Sequence, residues 1–105
     1  MPTKTLADLS VDVNEDGFFT DPAQWTEVMV PELARAEHIE ELTADHWWVI
    51  KFMRAEYLDK GTGPTVRMLG KTSGVSIKDL YLLFPKGPAK VAARIAGIPK
   101  PRGCI

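Results

Sequence analysis

The spacing of apolar positions changes along the chain, and each change marks an element. In "LSVDVNEDGFFTD", Leu9 to Asp21, apolar and polar residues alternate weakly on both sides of Asn14–Gly17. A period of two sends successive side chains to opposite faces, so residues 1 to 20 are expected to be extended, with a hairpin turning at Asp16–Gly17. From Asp21 the spacing lengthens to three and four. Asp21 can cap a helix with Pro22 in its first turn, and Trp25, Val28, Met29, Leu33 and Ala36 form its apolar stripe. Pro31 falls inside that stripe and removes a backbone hydrogen bond, which predicts a kink or a split there. Thr43 caps "ADHWWVIKFMRAEYLDK", where Trp47, Ile50, Phe52, Met53, Tyr57 and Leu58 mark a long, heavily buried helix ended by Gly61. Pro64 opens a short helix through Lys71, and "TSGV" breaks it. Ser76, with Asp79 three residues on, caps "IKDLYLLF", which Pro85 stops. Gly87 and Pro88 begin a last helix, "AKVAARIA", ended by Gly97.

The expected fold is mainly α: a small helical bundle with a short N-terminal β-hairpin and a flexible C-terminal arm. At 105 residues the chain is one domain, 1–105, large enough for a modest core without staples. Repeats, low-complexity tracts and interdomain linkers are absent. The arm spans 98–105, "IPKPRGCI", where Pro99 and Pro101 forbid helix and favour extended geometry. Drawn out, those residues reach roughly 25 Å. No apolar run approaches a bilayer span, and "MPTKTLADLS" lacks the apolar stretch of a secretory signal. A cytoplasmic location is expected, without membrane association.

Charge changes the picture more than composition does. The net value of −1 hides a split, with five Lys/Arg against 13 Asp/Glu in residues 1–60 and eight Lys/Arg against the single Asp79 in residues 61–105. Such segregation can steer an acidic partner to one end of the molecule, or it can hold the two halves together. Both readings stand at this level.

The only cysteine, Cys104, is the penultimate residue. One cysteine cannot make an internal disulfide. Free cysteines are commonly buried, so a thiol at the tip of a tail argues for use, although an incidental terminal cysteine is the bland alternative. An unperturbed thiol titrates near ~8.5. The terminal carboxylate on Ile105 disfavours the thiolate, while Lys100, Arg102 and Arg94 favour it. A persulfide ionises more readily, so the same cations would hold a loaded form. Gly103 supplies a hinge directly before the sulfur. A nucleophilic hydrolase needs a fixed base and an oxyanion pocket beside its cysteine, and a tail offers neither. His38 and His46 suit surface or core roles, and one Cys with two scattered His gives no metal-ligand spacing. No cofactor or metal is expected. A carrier, accepting a group from one partner and surrendering it to another, fits better than a stand-alone enzyme.

The same residues carry a likeness. "LYLLFPKGPAKVAARIAGIPKPRGCI" resembles the C-terminal signature of the DsrC/TusE family, in which a penultimate cysteine carries sulfur. "DGFF", Trp25, "LTADHWWVIKFMR" and "GPTVRMLGK" match as well, so the resemblance covers nearly the whole chain. Two departures point to the TusE side. DsrC proper carries a second cysteine where Ala93 stands in "KVAARIAG", and it tends to have a short insertion that "KTSGVSIKDLYLLFP" lacks. The resemblance implies that Cys104 accepts a persulfide from a TusBCD-like or DsrEFH-like donor complex. An MnmA-type tRNA-thiolating enzyme, or sulfite reductase, would be the acceptor. It further implies that Arg67, Lys71, Lys90 and Arg94, with Lys100 and Arg102, line the surface where the arm docks. Ordinary solvated charge is the alternative for each. Trp25, Trp47 and Trp48 read as core or partner-contact aromatics.

"VRMLGKTSGVSIKDLYLLF" also resembles a helix-turn-helix, with Arg67, Lys71, Lys78 and Lys86 nearby. Its second helix offers Lys78 and Asp79 before apolar Leu80, Leu82, Leu83 and Phe84, and no Arg, Asn or Gln to read base edges. Packing is the favoured reading, and direct nucleic-acid binding is not expected.

Overall fold

The computed structural model describes residues 3–101. Two antiparallel strands, β1 (Thr3–Leu6) and β2 (Leu9–Asp12), pair Thr3 with Asp12 and Leu6 with Leu9. The hairpin therefore turns at Ala7–Asp8, both in the left-handed region at φ 50° and 63°, one turn earlier than the alternation predicts. Positive φ at both central residues suits the twist of a two-residue hairpin, and Asp8 tolerates it better than most residues. Asn14–Gly17 does form a turn, but it closes only a single bridge, Val13 to Phe19. There the Asn14 side-chain oxygen accepts from the Asp16 and Phe18 amides, both at 3.0 Å.

The expected helix from Asp21 is split. Asp21 accepts from the Ala23 amide, as a cap should, but it opens only a 3-10 turn, Pro22–Gln24. A second 3-10 turn, Glu27–Met29, leads into helix α1 (Val30–Ala36). Pro31 lies in the first turn of α1, where its missing N–H costs nothing. The break lies earlier, at the extended residues Trp25 and Thr26.

Helix α2 (Ala44–Lys60) runs between the predicted Thr43 cap and Gly61, which closes it in the left-handed conformation at φ 77°. It buries one face, His46, Val49, Ile50 and Met53, while Leu58 and Trp48 are exposed. The helix is thus half-buried rather than heavily buried. Three shorter helices complete the bundle: α3 (Val66–Thr72), α4 (Ile77–Leu83) and α5 (Pro88–Ile95). Thr65 and Ser76 cap α3 and α4 through their hydroxyls. Helix α5 is the hub, packing on α1, α2, α3 and α4. Its Ala89, Ala92 and Ala93 are fully buried, as close approach of helices requires. No helix among the described residues is long and apolar enough to cross a membrane.

His46 ties two of these helices together. Its Nδ1 accepts from the Thr43 amide at 3.0 Å, which leaves Nε2–H to donate to the Leu83 carbonyl at 2.9 Å. The ring therefore caps the start of α2 and the end of α4, and it meets Phe84 edge-on at 5.2 Å.

Candidate functional site

The site is built from the C-terminal end of α5 outward. Gly97, at φ 68°, ends the helix in the left-handed region. The Ile98 amide donates to Ala93 O at 3.1 Å and the Gly97 amide to Arg94 O at 3.3 Å, a paired closure that satisfies two of the last carbonyls. Two side chains take the next ones. The Trp25 indole N–H donates to Ile95 O at 2.9 Å. The Arg54 guanidinium donates to Ala96 O at 2.8 Å and, from its other nitrogen, to Pro22 O at 3.2 Å. Arg54 also lies over the Trp25 ring, 4.2 Å from its centroid. Burial lowers the Arg54 pKa from its ordinary value, yet an arginine keeps its charge at any physiological pH. A cation at the negative end of a helix dipole is well placed.

The pattern of apolar positions assigned Trp25 to a helix stripe and left Arg54 out. Arg54 does stand one turn from buried Ile50, on the border of the α2 core face, and that is the signal a helical projection offers. The bond from Trp25 to Ile95 spans 70 residues and has no local trace.

Beyond Gly97 the chain lies against the body. Ile98, where the pattern starts a loose arm, is 0% exposed, and Pro101 is buried. Both approach Gly63: a Cβ there would stand 2.9 Å from Ile98 Cδ1 and 3.3 Å from Pro101 Cγ. The Gly61–Gly63 loop therefore seats the start of the tail because glycine leaves room for it. Pro99 and Lys100 line a cleft of about 180 Å³ with Tyr57 and Thr62. A second cleft, about 240 Å³, shares Thr62 and Gly63 with the first and is also walled by Glu56, Lys60, Pro64, Thr65 and Met68. Cys104 and Arg102 lie outside the described residues.

The remaining basic candidates divide. Arg67 and Lys71 are exposed and one turn apart on α3. Lys100 is exposed beside the cleft and Lys90 is half-buried on α5. Arg94 is engaged elsewhere: it pairs with Glu37, donates to Asp16 O at 3.2 Å and stacks over Phe18 at 5.2 Å. That pair bears on the charge segregation. Among the described residues the three ion pairs are Lys51–Glu27, Lys60–Glu56 and Arg94–Glu37, and only the last joins the acidic half to the basic half. Most of the separated charge thus faces outward. No cluster of three or more His, Cys, Asp and Glu capable of holding a metal occurs among the described residues.

The comparisons agree with this architecture. The family model for DsrC like protein matches residues 5–105. The gamma subunit of dissimilatory-type sulfite reductase from Nitratidesulfovibrio vulgaris is 38% identical over 105 residues, covering both chains completely. Sulfurtransferase TusE from Yersinia pestis is 44% identical over 103 residues, covering 90% of this chain and 93% of that one. A chain in the crystal structure of dissimilatory sulfite reductase I superimposes with a TM-score of 0.88 at 38% identity, covering 99% of this chain and all of that one.

Proposed function

Because the chain belongs to the DsrC-like protein family, we propose that it is a sulfur carrier whose working atom is the Cys104 sulfur. The observation that carries this reading is the penultimate cysteine, in a chain 44% identical to a sulfurtransferase and with no second cysteine to divert it. The chemistry is an exchange with no net redox change. The Cys104 thiolate attacks the outer sulfur of a donor persulfide, an S–S bond forms at Cys104, the donor's S–S bond breaks, and the donor leaves as a thiolate. Delivery repeats the exchange in the other direction, with Cys104 as leaving group once an acceptor thiolate attacks. Lys100 and Arg102, close in sequence, stabilise the anionic forms of Cys104. Arg67, Lys71 and Lys90 line the docking side, whereas Arg94 supports it indirectly by holding the Asp16–Phe18 turn.

The donor is a TusBCD-like or DsrEFH-like complex, and tRNA 2-thiouridine synthesis through an MnmA-type enzyme is the favoured destination. The match to a sulfite reductase gamma subunit supports a second reading, in which sulfite reductase is the acceptor. Ala93, at the place where the resemblance puts a second cysteine in DsrC, supports the first reading. Intact-protein mass spectrometry decides the chemistry. After exposure to a persulfide donor the chain gains mass in steps of one sulfur atom, and Cys104→Ala abolishes the gain. A wild-type chain that never gains sulfur from any donor overturns the proposal.

A further inference from the structure

We infer that Trp25 and Arg54 are positioning residues that fix the direction in which the C-terminal segment leaves the body. This rests on the reading of Cys104 as the carrier, and it concerns geometry rather than sulfur chemistry. The closure at Gly97 and Ile98 uses only Ala93 O and Arg94 O. The last carbonyls of a helix have no partner within it and must find water, a side chain or a tightened last turn. Here Ile95 O is taken by the Trp25 indole and Ala96 O by Arg54. The two donors come from separate parts of the chain, the turn before α1 and the middle of α2. They are locked to each other by the stack at 4.2 Å, and Arg54 is tied to the turn that precedes Trp25 by its bond to Pro22 O. Gly97 lies under Trp25 so closely that a Cβ would fall 2.3 Å from Trp25 Cδ1. The two hydrogen bonds and the Gly97 contact converge on Ile95–Gly97, immediately before the tail.

The consequence for the carrier is a matter of position. Ile98 and Pro101 are seated against Gly63, so a shift at Ile95–Gly97 disturbs that seat and moves the point from which Arg102–Cys104, about 10 Å long at most, departs. A fixed base confines the sulfur to a smaller volume and raises its effective concentration at a bound partner's reacting thiol.

The test uses the full chain with Ala44→Cys added, nitroxide labels on that residue and on Cys104, and electron–electron distance measurement. Arg54→Met keeps an apolar side chain against the Trp25 ring and loses the charge and the hydrogen bonds. Trp25→Phe keeps a ring and loses the N–H, and it serves where Arg54→Met folds poorly. Each variant is expected to broaden the distance distribution. Each should also lower hydrogen-exchange protection of the Ile98 amide about tenfold, the effect of losing one hydrogen bond of ordinary to charge-assisted strength, while protection in α2 holds. Arg54→Lys restores part of both. Loading of Cys104 by glutathione persulfide, which needs no docking, is unchanged. An unaltered distribution in both variants, with normal loading, overturns the positioning role and leaves the carrier reading intact. A wild-type chain that cannot be loaded by glutathione persulfide or by any protein donor overturns the carrier reading, and the distance measurement still decides the geometry.

Discussion

At the scale of single residues, the most constrained position is Gly97, which combines positive φ with an overlying indole. Gly97→Ala is expected to cost about 2 kcal/mol or more in urea unfolding, from backbone strain plus displacement of Trp25. Gly61→Ala, equally left-handed but with nothing within 4 Å of its Cβ, should cost only about 1 kcal/mol. Equal losses at the two sites would show that the Trp25 contact carries no weight. The sequence marks Gly97 as a helix stop, yet the steric reason is invisible there, because Trp25 lies 72 positions away. Charge around the thiol is legible from sequence. Replacing Lys100 and Arg102 together with Gln should slow alkylation of Cys104 at pH 7 by roughly twofold, since neighbouring cations favour the thiolate and solvent screens most of their effect. An unchanged rate across pH 6 to 9 would remove these two residues from the site.

At the scale of elements, local chemistry predicts well and tertiary compensation does not. Helices α2, α4 and α5 begin and end close to where Thr43, Ser76, Gly61 and Gly97 allow, and α3 starts at its Thr65 cap just past the expected Pro64, because capping is decided within a few residues. The segment from Asp21 to Ala36 fails as one helix because Trp25 is drawn out of the helical path to reach Ile95 O, and Pro31 is then free to sit in a first turn. The hairpin slips for a related reason: Ala7–Asp8 adopts the tight turn without the glycine that usually signals one. The His46 bridge is likewise non-local, spanning 37 residues to Leu83. His46→Leu leaves the Leu83 carbonyl and the Thr43 amide without their partner. It should lower stability by about 2–3 kcal/mol in thermal unfolding, with α4 losing hydrogen-exchange protection before α5. Uniform loss of protection would contradict that order.

At the scale of the whole molecule, function turns on which surfaces face outward. Helix α4 buries Leu80, with Phe84 just beyond it, and exposes Ile77, Tyr81 and Leu82, the last at 71%. A helix with that outer face has little to offer the edges of base pairs. Fluorescence anisotropy with labelled duplex DNA between 50 and 200 mM salt should show no specific binding, and a steep salt-dependent isotherm would restore the helix-turn-helix reading. The family likeness was legible because it rests on a contiguous motif, whereas the seating of Ile98 and Pro101 against Gly63 rests on a loop 35 residues away. That seating and the closure above it have a mechanical meaning. Tension applied at the terminus by a gripping partner is shared among α5, α2 and the turn before α1, instead of unravelling the final turn of one short helix. The body can therefore keep its shape while its end is handled by successive machines.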